Sequence, residues 1–228
     1  MAILVAPMAL LAADDDNGGQ FTTHHVVDIH VRGKSLSMVY MNDLVSVESS
    51  IQTMEQFLAE DKYQLVGFDL EYTIGHAGHD QKVVVALLCM QHDFIVYHYH
   101  LATRPCEHFS RFINSSDYNF ATVDTTNDLK ALKVSGLKCR NLVNIQDHYK
   151  VWGSGNNKLN SLVDLASAII NPYYMKMKDG SRKDKKAWHS VWHETLDEQH
   201  IKYAAKDAYT SYKLYRWIAH MSKCLLHA

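Results

Sequence analysis

The chain has 228 residues, 47% of them apolar and 21% charged, with 25 acidic side chains against 23 basic and a formal charge of −2. That composition excludes collagen-like, disordered, coiled-coil and disulfide-scaffold proteins, and no excess of either charge names a partner. One domain of this length buries a full core without disulfides or structural metal, and Cys89, Cys106, Cys139 and Cys224 form no C-x-x-C pair, which points to reduced thiols in cytosol or nucleus.

The start, Met1 to Ala13, is apolar but has no basic flank, contains Pro7 and runs into Asp14, Asp15 and Asp16. It reads as a poorly ordered tail over 1–20 rather than a signal peptide, ahead of a single domain over 21–228. No later stretch approaches the ~18–20 apolar residues of a membrane span. Val27, Ile29 and Val31, then Leu36, Met38 and Tyr40, alternate across Gly33 and predict a β-hairpin. Val47, Ile51, Met54 and Leu58 recur at helical spacing and predict a helix over 46–60. Strands follow at 65–72, 83–90 and 94–99, a helix from Pro105 through Phe112, a strand at 119–123 and a helix beginning near Asp124. Helical patterns recur over 144–151, 159–170 and from Glu198 to about Met221. Strands first and helices later argue for a three-layer α/β domain with a mixed sheet of five or six strands, helices on both faces and the hairpin added.

Three segments carry chemistry. In Leu65–Tyr72, LVGFDLEY, side chains alternate between faces, so Asp69 and Glu71 share one face at the C-terminal end of an apolar strand, where α/β sheets place ligands. Alone, D-x-E also suits an exposed edge strand with two solvated acids. The apolar neighbours favour an internal strand, where paired carboxylates repel unless a cation sits between them. Tyr203 and Asp207 stand four apart on the last helix and project from one side of it. Ile201, Ala205, Ala208, Tyr212 and Tyr215 form its docking stripe, and the alanines at 204, 205 and 208 permit close backbone approach. Asp128 lies in the first turns of a helix entered from a strand, a place the helix dipole favours for any acid.

Taken in order, D-x-E on a strand, Asp128 with Leu132 four residues on, and Tyr-x-x-x-Asp on the last long helix resemble the DnaQ-like superfamily of 3'-5' exonucleases in its tyrosine-type branch. The closest likeness is to the Werner-like exonucleases, the exonuclease domain of Werner syndrome helicase and its stand-alone plant relatives. Val66-Gly67-Phe68-Asp69, Leu159-Asn160-Ser161-Leu162, Trp192 shortly before Leu196, and the run from Tyr203 to Tyr209 also fit that pattern, over about residues 46–220. The chain departs from it in Ala121–Asn127, where relatives have a glycine-rich apolar run. Asp124 adds an acid one turn before Asp128, leaving open which of the two faces the metals. His200 stands where many relatives have glutamine.

The resemblance implies a ribonuclease H-like, DnaQ-like fold and a two-metal phosphodiester hydrolysis. Hard cations such as Mg²⁺ or Mn²⁺ prefer carboxylate oxygens, and two of them activate the attacking water and neutralise the leaving oxygen. It assigns the metals to Asp69, Glu71, Asp128 and Asp207, and the orientation of the attacking water to Tyr203. It implies a nucleic-acid partner, the 3' end of single-stranded or frayed RNA or DNA, with targeting left to self-assembly, such as a ring, or to a partner protein. Residues 176–186 hold six basic and two acidic side chains, a net +4. Lys183, Lys185 and Lys186 are therefore expected to contact phosphates, unless the segment is only a solvated basic loop. His76, near Glu71, and Trp192 are further candidates for substrate contact. Two rival functions remain: a binding module of the same fold with little or no activity, and a zinc hydrolase built on His76 with His79, His98 with His100, or His189 with His193. Zinc needs three or four converging ligands, which these pairs do not supply by spacing alone.

Overall fold

The computed structural model describes residues 19–29, 34–73, 80–91, 93–148, 151–152, 158–159, 161–178 and 191–225. The expected hairpin is present as β1 (Thr22–Ile29) and β2 (Lys34–Met41), antiparallel, with Val27 opposite Leu36. Helix α1 (Leu44–Glu60) begins two residues before the predicted start. The reason is a cap: the Asp43 carboxylate accepts the Ser46 N–H at 2.8 Å, so the helix is anchored ahead of its first buried residue, Val47.

Strands β3 (Leu65–Tyr72) and β4 (Val83–Met90) match the sequence reading, and β5 (Asp93–Tyr97) ends two residues early. Helix α2 (Glu107–Ile113) follows Cys106, whose Sγ accepts the Phe109 N–H at 3.4 Å. Then come β6 (Asn119–Thr122) and α3 (Thr125–Val134). The predicted helix over 144–151 shrinks to α4 (Ile145–His148) between two strands, β7 (Leu142–Asn144) and β8 (Val151–Trp152). A two-residue β9 (Lys158–Leu159) pairs with β8, and α5 (Leu162–Ile169) starts at a capping box. There Ser161 accepts the Asp164 N–H at 3.1 Å while the Asp164 carboxylate accepts the Ser161 N–H at 3.3 Å. A 3₁₀ turn (Pro172–Lys178) and the long final helix α6 (Glu198–Leu225) complete the described chain.

Among the described residues the main sheet has seven strands in the order β1-β2-β5-β4-β3-β6-β7. It exceeds the expected five or six because the hairpin joins it, β2 running parallel to β5, and because β7 pairs in parallel with β6. Pairs β5/β4 and β4/β3 are antiparallel and β3/β6 parallel, so the sheet is mixed. Both faces of its centre are covered. From β3, Phe68 meets Phe120 at 5.7 Å between ring centroids, and Phe120 meets Phe112 of α2 at 5.3 Å. On the opposite face Gly67 abuts α6. Each such buried phenylalanine contributes about 1.5–3 kcal/mol through removal from water. Cys89, Cys106 and Cys139 are buried free thiols, as their spacing suggested. Among the described residues no helix is long and apolar enough to cross a membrane.

Candidate active site

The site forms where α6 crosses β3. Ala204, Ala205 and Ala208 are fully buried, so the helix backbone lies against the sheet, and Gly67 removes the last obstacle. A Cβ on Gly67 would stand 2.6 Å from the Cβ of Tyr212 and 2.8 Å from its backbone nitrogen, and would also run into the Ala208 carbonyl oxygen. Residues 67, 69 and 71 share a strand face, so this contact turns Asp69 and Glu71 toward the helix that carries Asp207. Just beyond, the pairing of β3 with β4 shifts register between Glu71 and Tyr72, a bulge at the site's margin.

A cleft of about 350 Å³ opens there, lined by Asp69, Asp124, Asp207, Gln146, Ser161 and Ser211 among others. Burial, then the neighbouring carboxylates of Glu71, Asp207 and Asp128, hold the Asp69 carboxyl well above the usual carboxylate range. Asp128 is 4% exposed, and burial pushes it up to about 7. Its Oδ2 is buried without a hydrogen-bond partner. The four acids predicted from sequence are therefore brought together from β3, α3 and α6 closely enough to feel one another.

Tyr203, one turn before Asp207, is partly buried and faces the Trp192 ring at 6.4 Å. Trp192, expected to touch substrate, is instead 1% exposed. It stands edge-on to His200 at 5.2 Å, and so backs the first turns of α6 from within the core. His200, in the glutamine position, is tied to Asp197, which accepts its backbone N–H at 2.9 Å and pairs with its Nδ1 at 2.8 Å. The segment carrying Trp192 is pinned from the hairpin side: the Leu196 N–H donates to the Tyr40 hydroxyl at 2.9 Å, and that hydroxyl bonds His98 Nδ1 at 2.8 Å. Burial first, then His100 and His193, lowers His98 to about 3, so its imidazole is neutral and structural.

His76, His79, His189, Lys183, Lys185 and Lys186 lie outside the described residues. Sequence reasoning had no means to foresee the cleft's neutral polar rim. Asn144 Oδ1 accepts the backbone N–H groups of Asp124 at 3.3 Å and Gln146 at 3.1 Å, which joins the start of α3 to the start of α4. Asp124 itself adopts φ 62°, ψ 73°, a left-handed conformation uncommon for a residue with a side chain, and makes no capping bond. The extra acid noted in the sequence thus reaches the cleft wall through an unusual backbone, while Asp128 sits deeper.

The donor chemistry suits a hard divalent cation: carboxylates only, one with an orphaned oxygen, and mutual repulsion that a cation relieves. Among the described residues no three His, Cys, Asp or Glu side chains yet form a group that could hold a metal.

A mixed sheet covered on both faces, with acids from an inner strand and from the helix crossing it, is the architecture of ribonuclease H-like, DnaQ-type exonucleases. Residues 44–223 match the 3'-5' exonuclease family, and the chain belongs to it. Solved structures of the same fold include the Nibbler exonuclease domain of Aedes aegypti, at 15% identity and TM-score 0.53, covering 76% of this chain and 86% of that one. Trypanosoma brucei RNase D in complex with GMP shares 13% identity at TM-score 0.65, with 79% and 56% covered. Escherichia coli RNase D, described as an exoribonuclease involved in structured RNA processing, shares 15% at TM-score 0.52, with 78% and 47% covered. The chain thus spans about half the length of the two RNase D chains. No curated protein matches it. Exonuclease domains of this kind use divalent metal ions.

Proposed function

We propose that this chain removes nucleotides from the 3' ends of single-stranded or frayed nucleic acid as a metal-dependent exonuclease of the tyrosine-type branch, with the Werner-like enzymes its nearest kin in motif. The observation that carries this reading is Asp69, whose carboxyl is raised by burial and by Glu71, Asp207 and Asp128 around it. Two ions of Mg²⁺ or Mn²⁺ held by these four acids would supply the activated water and the neutralised leaving oxygen. Asp69, on the inner strand β3 and raised by each of the other three acids, is the residue whose loss removes the most binding. Tyr203 orients the attacking water through its hydroxyl, its ring backed by Trp192. Lys183, Lys185, Lys186 and His76 are the proposed phosphate contacts. The domain spans 21–228, and β1, the outermost strand of its sheet, offers an edge through which subunits can pair.

A second reading, a binding module with little activity, is favoured by two specific observations: no ready metal group among the described residues, and the altered backbone at Asp124. One assay separates the readings. A 5'-labelled single strand, RNA in one arm and DNA in the other, is incubated with Mg²⁺, Mn²⁺ or Zn²⁺. A ladder shortening from the 3' end with Mg²⁺ or Mn²⁺ is expected. Salt-sensitive binding without a ladder supports the module, and activity with zinc alone supports a histidine-based hydrolase. RNA is the first arm because E. coli RNase D is described as an exoribonuclease and T. brucei RNase D is in complex with GMP.

A further inference from the structure

The C-terminal half of α6 carries a second surface with the chemistry of a ligand site. Two hollows, of about 410 and 240 Å³, adjoin at Tyr63, and Lys62, Lys213, Arg216, Trp217 and His220 are among the residues that line them. Cations stand over aromatic rings throughout. The Arg216 guanidinium lies 5.3 Å from the Tyr63 centroid and 5.5 Å from that of Tyr212, and the Lys62 ammonium lies 5.9 Å from Tyr63. Asp61, 3.6 Å from Arg216, offsets one charge and holds that guanidinium in place. Lys62 and Lys213 add two further cationic side chains to the lining. Beside them Trp217 is 44% exposed, a large flat apolar ring left at the surface of a helix whose other face is buried.

An exposed indole among lysines and an arginine meets the two requirements of single-stranded nucleic acid, a π-face for a base and positive charge for the backbone, without reading sequence. We propose that this surface binds single-stranded nucleic acid, the body of the strand whose 3' end is being degraded. This rests on the exonuclease reading above for the identity of the strand. Trp217 stands ten residues beyond Asp207 on one helix, about 15 Å along its axis. A strand stacked at the duplex rise of about 3.4 Å per nucleotide needs roughly five nucleotides to cover that distance, and an extended one fewer. A dinucleotide therefore occupies the cleft alone, and a longer strand engages both sites.

The test uses the full chain and two exposed positions outside the catalytic cleft, Trp217→Ala and Lys62→Glu. Binding of a labelled strand of about 20 nucleotides, longer than the site of a typical single-strand-binding fold, is measured by fluorescence anisotropy across a salt series, beside cleavage of a dinucleotide. Each variant is expected to weaken long-strand binding about ten-fold and to leave dinucleotide cleavage unchanged. Lys62→Glu also flattens the salt dependence, by roughly 0.7 in log–log slope for each phosphate no longer neutralised. Unchanged affinity and salt slope in both folded variants overturn the proposal, even where wild type cleaves both substrates. Weakened binding by the variants of a wild type that cleaves neither substrate upholds this surface and overturns the exonuclease reading instead.

Discussion

Gly67 of β3 lies directly under Tyr212 of α6, so close that a Cβ on the glycine would stand 2.6 Å from the Cβ of the tyrosine. The geometry of the proposed site depends on this contact. Asp69 is two residues along the same strand face, and Asp207 precedes Ala208, whose carbonyl oxygen also abuts the glycine. The spacing between helix and strand at Gly67 therefore sets the spacing between the two acids.

Replacing Gly with Ala inside an ordinary strand stabilises by about 0.5–1 kcal/mol. Gly67→Ala is expected to do the opposite. The added methyl meets backbone atoms of α6 that cannot yield, so overpacking costs about 1–3 kcal/mol, and activity falls further than stability because α6 lifts with Asp207. Thermal unfolding, with cleavage assayed where the variant is still folded, checks both. A stabilised, fully active variant contradicts the contact.

The raised carboxyls predict how pH and metal act together. A carboxyl whose folded pKa exceeds its unfolded one binds more protons when folded, so stability falls as pH rises between the two values. For Asp128 that window runs from the ordinary carboxylate value of 3.8 to about 7, and Asp69 acts in the same sense. Cations that replace the departed protons restore that stability. The rise in melting temperature produced by Mg²⁺ or Mn²⁺ over chelator should therefore be larger at pH 8 than at pH 5. His98 at about 3 favours the opposite trend at low pH, but it is common to both curves and drops out of their difference. A metal effect independent of pH rules this out.

Asp128 and Asp124 separate by substitution. Asp128→Asn removes a buried charge and should stabilise the metal-free chain at pH 8 by a few kcal/mol while abolishing cleavage. Asp124→Gly suits a backbone at φ 62°, should gain about 1 kcal/mol, and should retain cleavage. The reverse pattern of activity makes Asp124 the second-motif acid.

Tyr40 joins the hairpin to the segment that carries Trp192. Tyr40→Phe strips the partner from the Leu196 N–H and from His98 Nδ1, both buried. The expected cost is about 2–4 kcal/mol, the penalty for two unsatisfied groups. A lowered denaturant midpoint with an unchanged slope is the signature, and a loss below about 0.5 kcal/mol would show that the network is slack.

Much of this is legible in the chain. The period-two run over Leu65–Tyr72 and the docking stripe from Ile201 to Tyr212 reappear as β3 and α6 because both are strongly apolar and packed on the core. β7 escapes a sequence reading because Leu142–Asn144 is three residues at a sheet edge, too short to alternate, and it runs straight into α4. Gly67 is visible only as part of a motif, since nothing local says that a helix 141 residues later needs the room. Trp192 reads as a substrate contact because its partners, His200 and Tyr203, meet it only once α6 is docked. Asn144 belongs to the site through its bonds to two backbone N–H groups, a role no spacing encodes.

Whether Asp69 anchors a metal-dependent cleavage is decided by comparing wild type with a single variant. Wild type and Asp69→Asn, matched for folding by circular dichroism, are incubated with a 5'-labelled single strand and Mn²⁺. Wild type is expected to give a 3'-shortening ladder and the variant a reaction at least a thousand-fold slower, about 4 kcal/mol less transition-state stabilisation. Cleavage by Asp69→Asn within a few-fold of wild type would rule out that role for Asp69.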